Sequence, residues 1–302
     1  MTCYLFSCSG RFADSFEILL DFVSSPYFTE QTVQKEQGII GQEISMNDDN
    51  APWKVFFNLL GVLYKEHPVR IDIAGTADSI AKITPELLYG CYNTFYNPGN
   101  MFICVAGNFS ADEVLAAIDA GIKKVEPVEI ERGRFDEPPE VVRDYIEQKM
   151  EVSLPLFALG FKEVCDKPQK STEEKILTEL LLEILAGNAS PLYYELFSSG
   201  LINEEFAAEY FTGEGHAAVI FQGESERPEE VRDKVLDALK SLRENGVSKE
   251  EFERARKKLY GRYIMRYNAV ENIAHMLTQC AQTGSGLFDD IAVLENAAPE
   301  KL

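Results

Sequence analysis

Positive charge, histidine and long apolar runs are all scarce in this 302-residue chain. Lys and Arg number 29 against 50 Asp and Glu, a formal net charge of −21. Holding a phosphate backbone takes clustered basic side chains, so neither nucleic acid nor an anionic membrane surface is an expected partner. Acidic residues interrupt the apolar helical patterns, as in Thr172-Glu-Glu-Lys-Ile-Leu-Thr-Glu, and the N-terminus has no basic n-region. No membrane span and no secretory signal is expected, and the expected location is cytoplasmic. The six cysteines include no C-x-x-C pair, in a chain too large to need stapling. They read as mostly buried thiols of a reducing compartment. The three histidines, His67, His216 and His275, fall in a loop, near a strand start and on a helix, with no ligand spacing between them. Gly107-Asn108 lacks the G-x-G-x-x-G context of a phosphate loop and reads as a turn that ends a strand.

What is present is the composition of a folded protein: 45% hydrophobic, 11% aromatic and 26% charged. Disorder, collagen and coiled coil are excluded, and the length suggests about two domains. The acidity belongs to the whole surface. Residues 1–124 carry 15 acidic and 8 basic groups (net −7), and residues 125–302 carry 35 and 21 (net −14).

Along the chain, residues 2–9 form a β-branched and aromatic run that reads as a strand. Helices are expected over 13–23, over 29–46 behind a Thr29 cap, and after Pro52, where Phe56, Leu59, Leu60 and Leu63 share a face. A loop around His67-Pro68-Val69-Arg70, a short helix near 78–82 and a helix opened by Thr84-Pro85-Glu86 come next. A strand is expected at 100–106 and a helix at 111–125. Residues 126–140, EPVEIERGRFDEPPE, hold three prolines and no apolar periodicity; this is the expected linker between domains 1–125 and 141–302. Beyond it, 141–161, 206–211 and 217–221 read as strands, and 172–185, 191–198, 228–244 and 249–282 as helices.

The order of elements repeats. The strand near Tyr4 with its helix resembles the strand near Ala218 with its helix, setting Leu20-Asp21 opposite Leu236-Asp237. Thr29-Glu-Gln-Thr-Val-Gln-Lys matches Ser248-Lys-Glu-Glu-Phe-Glu-Arg at an offset of 219, and Thr84-Pro85-Glu86 matches Ala298-Pro299-Glu300 at 214. Such an order implies one α+β domain duplicated. Residues 141–217 have no counterpart ahead of Tyr4, and the segment after Pro85 has none beyond Leu302, so both twins are expected to be incomplete and the chain to be a fragment of a longer protein.

On the 29–46 helix, Val33, Ile40 and Ile44 fall within about 40° of one another at ~100° per residue. Glu36 and Glu43 share a line about 60–80° to the side. That line predicts carboxylates at the edge of the core, partly desolvated, where they could serve a metal or a proton transfer; the plainer reading is two surface glutamates. At the 219 offset Glu36 faces Ala255 and Glu43 faces Arg262, as expected if one twin alone carries chemistry.

The run Lys35-Glu36-Gln37-Gly38-Ile39-Ile40-Gly41-Gln42-Glu43-Ile44 resembles the pitrilysin/insulinase family of zinc metallopeptidases. So do His67-Pro68-Val69-Arg70, Gly75-Thr76, Thr84-Pro85-Glu86-Leu87, Tyr96-Asn97-Pro98 and the stretch from Asn100-Met101 to Gly107-Asn108. Bacterial cytoplasmic members encoded as pairs are the nearest in pattern, and processing-peptidase subunits are more distant. The resemblance implies an α+β fold of two homologous metalloenzyme-type α/β sandwich domains, a zinc cofactor and a peptide substrate. It also implies pairing as a homodimer or with a related subunit. It makes Glu43 a zinc ligand and Glu36 the residue that supports the site. The two zinc histidines of such proteins lie in an H-x-x-E-H motif, which this sequence lacks. The chain alone is therefore expected to bind no zinc and to hydrolyse nothing. The alternative is a non-catalytic peptide-binding subunit that pairs with an active homologue. Where relatives often place a substrate-orienting Arg and Tyr, this sequence has Phe197 and Asn203, so no site residue is expected there.

Overall fold

The computed structural model describes residues 1–122, 125–133 and 135–302. In chain order these form α1 (Phe12–Ser24), α2 (Glu30–Asp48), α3 (Ala51–Leu63), α4 (Ala77–Ile80), α5 (Pro85–Phe95), α6 (Ala111–Gly121), β1 (Leu156–Glu163), α7 (Thr172–Ala186), α8 (Pro191–Ser198), β2 (Ala207–Gly213), β3 (His216–Glu224), α9 (Pro228–Asn245), α10 (Lys249–Arg266), α11 (Val270–Thr283) and α12 (Asp289–Asn296).

The repeat is visible in the element starts. Phe12 of α1 and Pro228 of α9 are 216 apart, Glu30 of α2 and Lys249 of α10 are 219 apart, and Ala51 of α3 and Val270 of α11 are again 219 apart. The third correspondence corrects the single helix expected over 249–282, which breaks at 267–269 into α10 and α11. Ala269, at the start of α11, has extended backbone just as Asn50 does at the start of α3, so the repeat itself carried the signal for the break.

Two compact units result. One comprises Met1–Glu43, Thr76–Gly133 and Arg266–Gly284; the other comprises Ile44–Gly75, Arg134–Met265 and Ser285–Leu302. The third helix of each repeat thus belongs to the unit built mainly from the opposite repeat.

In the first unit, the apolar stripe of α1 packs on α6, burying Phe16, Leu20 and Val114. Gly121 permits this approach, because a Cβ there would lie 2.7 Å from Leu20 Cδ1. Thr84 caps α5 by accepting from the Leu87 N–H. The Tyr92 hydroxyl donates to the Val23 carbonyl at 2.6 Å and the Phe28 N–H to the Tyr89 hydroxyl at 3.1 Å, so α5 holds the segment that leads into α2. The strands expected at 2–9 and 100–106 do not form, nor does strand begin at 141; only the part from Leu156 onward is β. A strand has no hydrogen bonds of its own and exists only beside a partner edge. Among the described residues the only sheet is the three-stranded one of the second unit. The helix expected over 111–125 ends at Gly121, and its residues 123–124 lie outside the described residues. Cys3, Cys8 and Cys91 are exposed, correcting the expectation of mostly buried thiols; two of them lie on the unpaired 2–9 segment.

In the second unit the sheet order is β1-β3-β2, antiparallel throughout, with Leu159 opposite Phe221 and Tyr210 opposite Val219. Both faces of the sheet are covered, which explains the unbroken apolar run Ala217–Phe221 in its centre. Alternate side chains go to opposite sides. Ala218 and Ile220 meet Leu59, Leu60, Leu63 and Tyr64 of α3 and its C-terminal end, while Val219 and Phe221 meet a core from α7, α8 and α9 that includes Leu185, Leu196, Val231 and Val235. Gly160 of β1 lets α3 close in, since a Cβ would lie 2.9 Å from both Leu59 Cδ1 and Leu63 Cδ1. A further core joins α7 to α10 and α12 through Ile176, Leu180, Phe252, Leu259 and Leu294.

Candidate functional site

Helix α2 starts where Thr29 and Thr32 exchange hydrogen bonds, the Thr32 N–H donating to Thr29 Oγ1 at 3.2 Å and the Thr29 N–H to Thr32 Oγ1 at 2.9 Å. Its rotation about its own axis is pinned by Gln37, whose side-chain amide donates to the carbonyls of Ile80 (3.1 Å) and Ile83 (2.9 Å) at the end of α4. Seven residues are about two turns, so Glu36 and Glu43 project along one side of the helix.

Both carboxylates are exposed. The expected position at the edge of a core is therefore not what this chain builds. Helix α2 buries Val33 alone, and open space surrounds the helix at Gly38 and Gly41, where a Cβ would meet nothing within 4 Å.

The twin helix makes the contrast instructive. On α10, Phe252, Ala255, Leu259 and Tyr263 are all buried. Their equivalents on α2 are Val33, Glu36, Ile40 and Ile44. Glu36 thus stands at a position that the scaffold fills with a buried methyl group in its other copy, and Glu43 stands where Arg262 reaches Glu183 at 3.5 Å.

No group of three His, Cys, Asp or Glu side chains among the described residues could hold a metal. His275 is exposed on α11. His67 and His216, which have no ligand spacing in the sequence, come together in the second unit with ring centroids 4.8 Å apart. His67 opens a 3-10 turn, with Nδ1 accepting from the Val69 N–H at 3.1 Å, so it serves as a capping residue. Nothing in spacing could have foreshadowed the pair, because β3 delivers His216 from about 150 residues away. Phe197 stacks on Tyr193 with centroids 5.7 Å apart, and Asn203 donates to Glu224 Oε2 at 2.7 Å. Gly107, at φ +149, and Asn108 form a bend.

The scaffold is thus a duplicated α+β arrangement in which one copy of a helix carries a glutamate pair and the other does not. The sequence profile of the Peptidase M16 inactive domain matches residues 82–259. The chain is 38% identical to a Bacillus subtilis protein described as an uncharacterized zinc protease, YmfH, across 99% of this chain and 71% of that protein. It is 23% identical to a second from the same organism, YmxG, across 87% and 64%. Among solved structures, an M16-like peptidase from Alicyclobacillus acidocaldarius is 34% identical with a TM-score of 0.89, covering 97% of this chain and 71% of that one. A Helicobacter pylori protease shares the fold at 16% identity and a TM-score of 0.84, covering 96% and 72%. The chain belongs to the M16 peptidase family and has its α+β, pitrilysin-like fold.

Proposed function

We propose that this chain is part of a zinc-dependent metalloendopeptidase acting on peptides, to whose zinc site it contributes Glu43 as a ligand and Glu36 as its support. The observation that carries the reading is the contrast between twin helices: α2 exposes Glu36 at a place where α10 buries Ala255. The description of a 38% identical relative as a zinc protease supports it. A catalytic zinc takes three protein ligands and keeps one position open. Among the described residues no such set is present, so in this reading the histidines come from an H-x-x-E-H outside these 302 residues. The chain alone binds no zinc and cleaves nothing. Residues 126–140 as the linker between catalytic-type and non-catalytic domains, a cytoplasmic location, and pairing as a homodimer or with a related subunit belong to the same proposal.

The test is a longer gene product carrying an H-x-x-E-H ahead of these residues. Zinc content by mass spectrometry and cleavage of a quenched fluorescent peptide should both collapse in Glu43→Gln. Unchanged zinc content would remove Glu43 from the ligand set. The second reading, a non-catalytic peptide-binding subunit, is favoured by the match to the inactive-domain profile. It takes over if no gene product joins the motif to this chain and the chain itself binds extended peptides in calorimetry.

A further inference from the structure

The His67–His216 pair plays no part in the proposed zinc site, and its surroundings are unusual for two titratable groups. His67 is 7% exposed. Its Nδ1 accepts from Val69, so the proton sits on Nε2, which donates to the Glu214 carbonyl at 2.9 Å. His216 Nδ1 lies 3.3 Å from the same carbonyl. Two imidazoles therefore converge on one carbonyl in the turn between β2 and β3.

The other walls are the Tyr64 ring, 6.0 Å from His67 and 6.1 Å from His216, the Phe135 ring, 5.5 Å from His67, and the Phe211 ring, 5.1 Å from His216. The charges nearby are already engaged. Lys162 on β1 lies 5.2 Å over the Tyr64 ring and pairs with Glu137. Glu163, which ends β1, is held by Lys170 and the Tyr210 hydroxyl. Lys65 and Glu66, beside His67, are within 3.9 Å of each other. Cys165 follows β1, its thiol pushed up by burial against the opposing pull of Lys170, with Glu163 and Asp166 adding to the rise.

We propose that His67 and His216 form a proton-operated clasp, which at neutral pH fastens the His67–Arg70 turn to the β2–β3 turn, and on acidification lets it go. The geometry shows why. A proton on His67 must go to Nδ1, which then repels the Val69 N–H instead of accepting from it. A proton on His216 goes to Nε2 and sets a charge beside the first ring. Two imidazolium rings at 4.8 Å repel beside the rings of Tyr64, Phe135 and Phe211. Burial, and then the neighbouring His67, hold His216 below its ordinary range. For a histidine with a depressed folded value, the contact is intact above the unfolded value of about 6.5 and weakens as pH falls through it toward the folded value. Glu137 stays ionised across this window, so it does not cause the opening. The clasp places a physiological-pH switch at the β2–β3 turn of the second unit.

The test is hydrogen exchange with mass-spectrometric readout on the 302-residue chain at pH 7.5 and 5.5, corrected for intrinsic rates. Residues 69 and 70 should exchange about tenfold faster at pH 5.5 in the wild type and less than twofold faster in His216→Phe, which keeps the aromatic contacts. Equal protection of the wild type at both pH values, or equal loss in wild type and variant, overturns the proposal. Should the variant not fold, imidazole titration of the wild type by NMR decides. Loss of protection must follow protonation of His216. Loss while both rings remain neutral, or full protection with both charged, overturns it.

Discussion

The Lys162 ammonium lies 2.6 Å from Glu137 Oε1, with only 3% and 9% of the two side chains exposed. The ion pair lies within the second unit, between β1 and residue 137. Lys162 also donates to the carbonyls of Pro138 (2.6 Å) and Glu140 (3.0 Å), and Glu137 accepts from the successive N–H groups of Lys65, Glu66 and His67 at 2.7–2.9 Å. These N–H groups follow the C-terminal end of α3, so one carboxylate ties residues 137–140 to α3 and β1 together. Residues 126–140 read in sequence as a spacer, yet Glu137 within them is a structural anchor.

Removing one partner of so buried a pair leaves the other uncompensated. Lys162→Met should cost about 3–5 kcal/mol, measured as a lower urea midpoint with an unchanged m-value. The double variant Lys162→Met/Glu137→Leu should recover part of that loss.

Acid should find the same pair. Burial alone would raise the Glu137 carboxyl, but Lys162 and the three N–H donors outweigh it and hold it at about 2. Its folded value lies below its unfolded value of about 4.3. The stabilisation is therefore complete above pH ~4.3 and disappears as pH falls toward 2. Urea midpoints between pH 6 and 3 should drop less steeply in Glu137→Gln than in the wild type.

Two glycines should respond with opposite signs. Gly160→Val drives a branched side chain into Leu59 and Leu63, which are already 2.9 Å from a Cβ at that position. An overpacking loss of about 1–3 kcal/mol is expected. Gly38→Ala on α2 meets open space and should stabilise by up to ~1 kcal/mol through helix propensity. Calorimetric melting of both variants checks the contrast.

The twin helices offer a direct test of whether Glu36 is structural. Ala255→Glu on α10 places a carboxylate at a site only 3% exposed and should destabilise by several kcal/mol. The equivalent Glu36→Ala on α2 should change stability by no more than about 0.5 kcal/mol. A large loss in Glu36→Ala would make that glutamate part of the fold and weaken its assignment to a site.

The sequence by itself determined the local elements, because helix periodicity, caps and prolines act within a few residues. The starts of α3, α5 and α8 follow directly from Asn50-Ala-Pro, Thr84-Pro85 and Ser190-Pro191. It also determined the duplication and the asymmetry of Glu36 and Glu43 between its copies, which are comparisons of letters. Tertiary structure decided what depends on partners distant in the chain. Segments 2–9 and 100–106 have strand-like composition and form no strand among the described residues, since a strand needs a second edge that composition does not supply. Helix α3 leaves its own repeat for the sheet unit because Gly160 and the alternate face of β3 accept its apolar stripe. His67 and His216, and Lys162 and Glu137, are neighbours for the same reason: β1 and β3 carry side chains to the His67 turn and to Glu137, which no local pattern links to them.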